Sequence, residues 1–167
     1  MPAAFANKAV DAACLPFPLA GVALGEGLAV VLIPGDKVTY WPQNGVMAFG
    51  KTFLDPANRE VAVRFMVAFL KASRDVYQDG WTSDENATIV SQYTNVPIPL
   101  IQKGASFYFE PNGRVYQPGV EKVQAYFVNR GYVDFSEALP LDQVIDESYL
   151  EEALERIGEV EAEFEHE

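Results

Sequence analysis

Apolar positions at the start of the chain come in short unbroken runs, and those toward its end recur at helical spacing. Val10 to Leu15 is a short apolar run bounded by Asn7-Lys8 and Pro16, and it predicts a buried strand. Phe17 to Leu24 is rich in small apolar residues, with Gly25 and Gly27 as breakers, and predicts a helix. Leu28 to Ile33 reads "LAVVLI" and predicts a second buried strand, stopped by Pro34-Gly35-Asp36. Strand, helix and strand in so short a span predict a βαβ unit, hence a piece of mostly parallel sheet. Val38 to Trp41 and Val46 to Phe49 predict extended segments joined through the turn residues Pro42 to Gly45.

The rest of the chain predicts helices. Asp55-Pro56 supplies a cap oxygen and a proline at the first helical position, opening a long helix from Ala57 to Gln78. Glu60, Arg64, Lys71, Asp75 and Gln78 fall on one polar stripe. The remaining arc, including Val61, Phe65, Phe69 and Ala72, predicts a core element. Ser83 caps a helix through about Tyr93 that Pro97 ends, and Pro99 to Lys103 predicts another, stopped by Gly104. "FYFEPNGRVY" holds a Pro-Asn-Gly turn between aromatic stretches, which suits a small hairpin or an irregular loop. Pro118 starts a helix ending at Asn129-Arg130-Gly131. Asp146 caps the last helix, with Tyr149, Leu150, Ala153, Leu154 and Ile157 on one face and Gly158 as terminator. The fold class expected from these pieces is α/β in the first third and helical thereafter.

Charge narrows the choice of partners. The 167 residues carry a formal net charge of −12, and from Asp142 to Glu167 every charged residue except Arg156 is an acid. A nucleic-acid backbone or an anionic membrane surface needs a cationic face, so neither is expected as the main partner. The acidic end is expected to be a solvated helix face followed by a disordered tail. Leu15 to Pro34 is the longest apolar stretch, but Pro16, Pro18, glycines and Glu26 interrupt it, so no membrane span is expected. Cys14 is the sole cysteine, which excludes an intrachain disulfide, and no signal-peptide pattern opens the chain.

"GVMAFGKT", Gly45 to Thr52, fits the phosphate-binding loop pattern G-x-x-x-x-G-K-[ST]. Its context argues against that use. The positions between the glycines are Val, Met, Ala and Phe, which suit a buried segment, and Asp55-Pro56 restarts helical chemistry soon after. Gly25-x-Gly27 lacks the rest of a dinucleotide fingerprint, and Asn86-Ala87-Thr88 is a glycosylation sequon by letters alone. His166 is the only histidine and lies far from Cys14, so neither a histidine triad nor a zinc site is expected. No catalytic constellation emerges, and no cofactor or metal is expected.

Three motifs in order resemble the C-terminal half of ABC-transporter substrate-binding proteins of the nitrate, sulfonate, taurine or thiamine-pyrimidine-precursor type. They are "NKAVDAACLPFP" at Asn7 to Pro18, "DPANREVAVRFMVAFLKAS" beginning at Asp55, and "DESYLEEALERIG" at Asp146 to Gly158. The resemblance implies a partial periplasmic-binding-protein-like fold of the second type. Residues 1–36 would be the end of a second lobe and 37–54 the crossing strands and hinge. Residues 55–158 would be the helical end of a first lobe, and 159–167 an acidic disordered tail. It implies a non-catalytic solute-binding component, a fragment or truncated relative whose other lobe is encoded elsewhere. An ABC permease would be its partner. It would be periplasmic by family, or cytoplasmic if expressed as given.

Ligands of open α/β sheets lie beyond the carboxyl ends of the strands. Under that geometry the candidate ligand-binding residues are Cys14 and Phe17 after the first strand. Tyr40, Trp41, Gln43 and Asn44 on the crossing complete the set. A flat aromatic pair beside two amides suits a small planar or polar solute. Two other readings stay open: a phosphate-loop nucleotide binder using residues 45–52, and an oligomerising domain without ligand. A chain lacking one lobe is expected to form a homodimer or to need a separate N-terminal lobe.

Overall fold

A computed structural model of the chain describes residues 2–16, 19–34, 47–104 and 108–162. The chain divides into two compact units, one formed by residues 1–40 and 75–108 and the other by 41–74 and 109–167.

In the first unit, α1 (Pro2–Ala6) packs with α2 (Leu19–Gly25), and α2 ends where the sequence places its glycines, with Gly27 at a φ of 67°. A 3₁₀ turn (Gln78–Thr82), α5 (Asp84–Thr94) and α6 (Ile98–Lys103) pack on one another, and Trp81, Ala87 and Ile101 are buried. Ser83 caps α5 as expected, its hydroxyl accepting from the Asn86 amide. Asn95 closes α5 in the left-handed conformation. The Asn86 side chain donates to the carbonyls of Asp75 and Gly80, both at 2.9 Å. A Cβ at Gly80 would sit 2.1 Å from the Asp75 oxygen, so this close approach requires glycine.

The second unit is built on α4 (Arg59–Asp75, this unit holding it through Arg74) and α9 (Ser148–Ile157). Ala62, Val63, Met66 and Leu70 of α4 meet Tyr149, Leu150, Ala153 and Leu154 of α9 in one apolar cluster. Phe49, Phe53, Phe69 and Ile157 flank it. The one-turn α3 (Lys51–Leu54) and a 3₁₀ turn (Pro56–Asn58) lead into α4. Asp55 supplies its cap oxygen to the Ala57 amide with proline next to it, but what it caps is this short turn, and the long helix expected from Ala57 to Gln78 runs from Arg59 to Asp75. Gly113 turns the chain between Pro111 and Arg114 at a φ of 71°. It is followed by α7 (Gln117–Asn129) and the short α8 (Leu141–Val144). The Gln124 side chain holds the backbone of Leu139 by both its donor and its acceptor.

The α/β expectation is overturned, because the described residues contain helices and no strand. Val10 to Leu15 is irregular and mostly exposed. Ala29 to Pro34 is irregular too, with Val30, Val31, Leu32 and Ile33 at 78, 58, 76 and 66% exposure. The helix between these runs forms, but the βαβ unit and its partial binding-protein fold do not. The reason is that strands exist only through backbone pairing with a neighbour, which local propensity cannot supply. The crossing segment from Val38 to Val46 lies outside the described residues, and Met47 to Phe49 is irregular.

The buried arc of α4 also differs from expectation. Val61, Phe65 and Ala72 are exposed and Phe69 is half-buried, whereas Ala62, Val63, Met66, Leu70 and Ser73 are buried. The two sets lie on neighbouring arcs of one helix. The buried side is the one that meets Tyr149, Leu150, Ala153 and Leu154 of α9.

Candidate functional site

Of the residues proposed for ligand contact, Cys14 is exposed in an irregular segment ahead of α2. Phe17, Tyr40, Trp41, Gln43 and Asn44 lie outside the described residues.

The surface that stands out in the first unit is the run Val30–Ile33. It is uncharged and consecutive, and it follows directly on the turn that ends α2. Scattered surface aliphatics are ordinary, but four in succession form a contiguous apolar strip, the kind of surface that marks interaction sites. Sequence reasoning assigned these residues to the interior because an unbroken apolar run usually is buried. Its missing polar alternation was the only signal, and it does not distinguish a buried run from one awaiting a cover.

The loop-like motif has another role in the second unit. Gly50 is extended, with φ −79° and ψ 172°, and a helix does begin at Lys51, contrary to the expectation that helical structure starts only at Asp55-Pro56. That helix is a single turn ending at Leu54. The Phe49 ring lies 5.1 Å from Phe53 and 5.2 Å from Tyr149, edge-on to both. These residues are committed to packing against α9, and Tyr149 also donates its hydroxyl to the Phe53 carbonyl. Gly45 and Val46 lie outside the described residues.

The charged groups of the second unit bind α4 to α9. Arg59 donates to Glu152 at 3.0 Å and lies over the Tyr149 ring, 4.4 Å from its centre. Arg156 grips both oxygens of Glu60 and also reaches Glu152. The Arg156 hydrogen bonds hold the Glu60 carboxyl below its ordinary range. Arg114 does the same for Glu151. Asp146 accepts from the Ser148 amide, and its bonds to Ser148 lower it likewise.

The sign of the pH effect follows. A carboxyl depressed in the folded chain contributes stability above its unfolded value, and that contribution is lost as pH falls through the folded value. The Tm gap between the wild type and Arg156→Gln is therefore expected to be constant near neutrality. It should close as pH drops below the carboxylate range of roughly 4. Comparing the two chains cancels the general relief of charge repulsion that acid brings to a chain of net charge −12. A gap undiminished in acid would show that Arg156 acts by packing alone.

Among the described residues no cluster of histidine, cysteine and carboxylate side chains is arranged to hold a metal ion, and no helix is long and apolar enough to cross a membrane. No protein-family model, no curated protein and no solved structure matches the chain.

Proposed function

We propose that this chain is the solute-binding component, or one part of it, of an ABC importer for a small organic or anionic solute, and that it works against a complementary protein surface. The observation that carries the reading is the exposed run Val30–Ile33, an uncharged strip that lies in the sequence between Cys14 and the pair Tyr40 and Trp41. Its position supports a module in which the ligand-contacting segment and a docking surface are neighbours in the chain. The order of the three motifs between Asn7 and Gly158 supplies the functional class. The complementary surface belongs to a separately encoded lobe or a second copy, with a permease as the downstream partner and the periplasm as the compartment.

The test is a thermal-shift titration of the full chain with nitrate, taurine, an alkanesulfonate and an aminopyrimidine. A solute present at 100 times its Kd is expected to add about 2.7 kcal/mol of stability. Trp41→Ala should abolish the shift. Sedimentation of the same samples reports the docking surface, and a concentration-dependent dimer that Leu32→Lys dissolves is expected if the cover is a second copy. A monomer that no solute stabilises would overturn the proposal. A dimer that no solute stabilises would favour the oligomerising domain without ligand.

A further inference from the structure

The glycosylation sequon Asn86-Ala87-Thr88 lies inside α5, and the fold has already used both of its polar side chains. Nδ2 of Asn86 donates to the Asp75 carbonyl and to the Gly80 carbonyl, both at 2.9 Å. A carboxamide nitrogen carries two hydrogens, so neither is left over. The Asp75 carbonyl belongs to the last residue of α4, where a helix leaves its carbonyls without internal partners. Gly80 lies in the 3₁₀ turn that follows and approaches Asp75 as only glycine can. One side-chain amide thus ties Asp75, the turn and the start of α5 together within the first unit. The Asn86 backbone is fixed as well, its amide donating to the Ser83 hydroxyl at 3.2 Å. The Thr88 hydroxyl is turned back to the Asp84 carbonyl at 2.6 Å.

We infer that Asn86 is a modification site closed by the fold: N-glycosylation of the sequon and folding of the first unit exclude each other. In that transfer C1 of a lipid-pyrophosphate-linked oligosaccharide bonds to Nδ2. The C1–oxygen bond breaks with its electrons leaving on the pyrophosphate, and one Nδ2 proton is lost to the transferase. The product keeps a single N–H, so one of the two carbonyls loses its donor. The new carbon also stands where a hydrogen stood. With an N–C bond of about 1.46 Å, it would come within roughly 1.5 Å of the carbonyl oxygen it faces, where no atom fits. The Asn86 side chain therefore has to leave its place to carry a glycan. Asp75, the turn and α5 then lose their common anchor, and a buried-side carbonyl without its donor is costly. The sequence suits a compartment that does not glycosylate Asn-x-Thr.

The test translates the full chain behind a cleavable signal into microsomes that carry the transferase and its lipid-linked donor. Thr88→Ala is the control, since it deletes the sequon and leaves both Asn86 side-chain bonds in place. The glycosylated wild type is expected to be cleaved by trypsin about tenfold faster than the Thr88→Ala chain, because cleavage follows the population of the opened form. Trimming the glycan to its first sugar should not restore resistance, since C1 of that sugar is the atom that does not fit. A glycosylated chain as resistant as the control overturns the inference. If no glycan is added, Asn86→Asp decides, because it keeps the shape and removes both hydrogens. A carboxylate this near a helix N-terminus is otherwise favourable, so a loss reports the missing donors. The Tm is expected to fall by about 4 °C or more. An unchanged Tm would equally overturn it.

Discussion

Replacing Leu70 by alanine is expected to lower the unfolding free energy by about 3–5 kcal/mol. Leu70 has no exposed surface and lies in the cluster that α4 shares with α9. Its loss removes the transfer energy of the buried methyl groups and leaves a cavity. Leu70 and Leu150 both pack at the Gly113 turn, so the cavity opens in the middle of the cluster. A domain's net stability is only about 5–15 kcal/mol, so this single change takes a large share of it. Urea denaturation followed by circular dichroism measures the change. Phe65 is the internal contrast. It sits on the same helix but is 44% exposed, so truncating it should cost much less. Comparable losses at the two positions would mean that the helix buries a different face.

Gly113→Ala is expected to be the second large loss, from two separable causes. The φ of 71° is strained for any side chain, at about 1–2 kcal/mol. A Cβ there would also stand 2.9 Å from both Leu150 Cδ1 and Leu70 Cδ2, an overpacking worth about 1–3 kcal/mol. The causes part in a double-mutant cycle. Leu70→Ala removes one of the two clashes, so the double variant should lose less than the sum of the single losses. The backbone strain survives in both backgrounds. Strict additivity would show that the turn shifts aside and that the contact with Leu70 carries no energy. Loss at this turn should also loosen the segment after α9, since Asn112 is the preceding residue and its side chain bonds both the amide and the carbonyl of Val160.

What the sequence determined by itself was local. Ser83 and Asp55 cap where they stand, because a side-chain oxygen within a few residues of a free amide needs nothing distant to find it. Gly27, Gly113 and Gly158 all take positive φ at the ends and turns their positions suggested. The face of α9 was legible for a related reason: Tyr149, Leu150, Ala153 and Leu154 share one stripe, and the opposite side is charged, so only one orientation buries it. Helix α4 was different. With apolar residues around most of its circumference, its pattern permits several buried arcs, and the arc chosen was decided by where α9 packs. The same limit governs the candidate sites. Tyr40, Trp41, Gln43 and Asn44 followed from a sheet geometry that the described residues do not form. Val30–Ile33 could be assigned as apolar from the sequence, but whether a partner covers an apolar run is a property of its surroundings. Asn112 was legible as a turn residue and not as a clamp. Its partner at Val160 lies far along the chain, and only tertiary packing brings a turn and a tail to hydrogen-bonding distance.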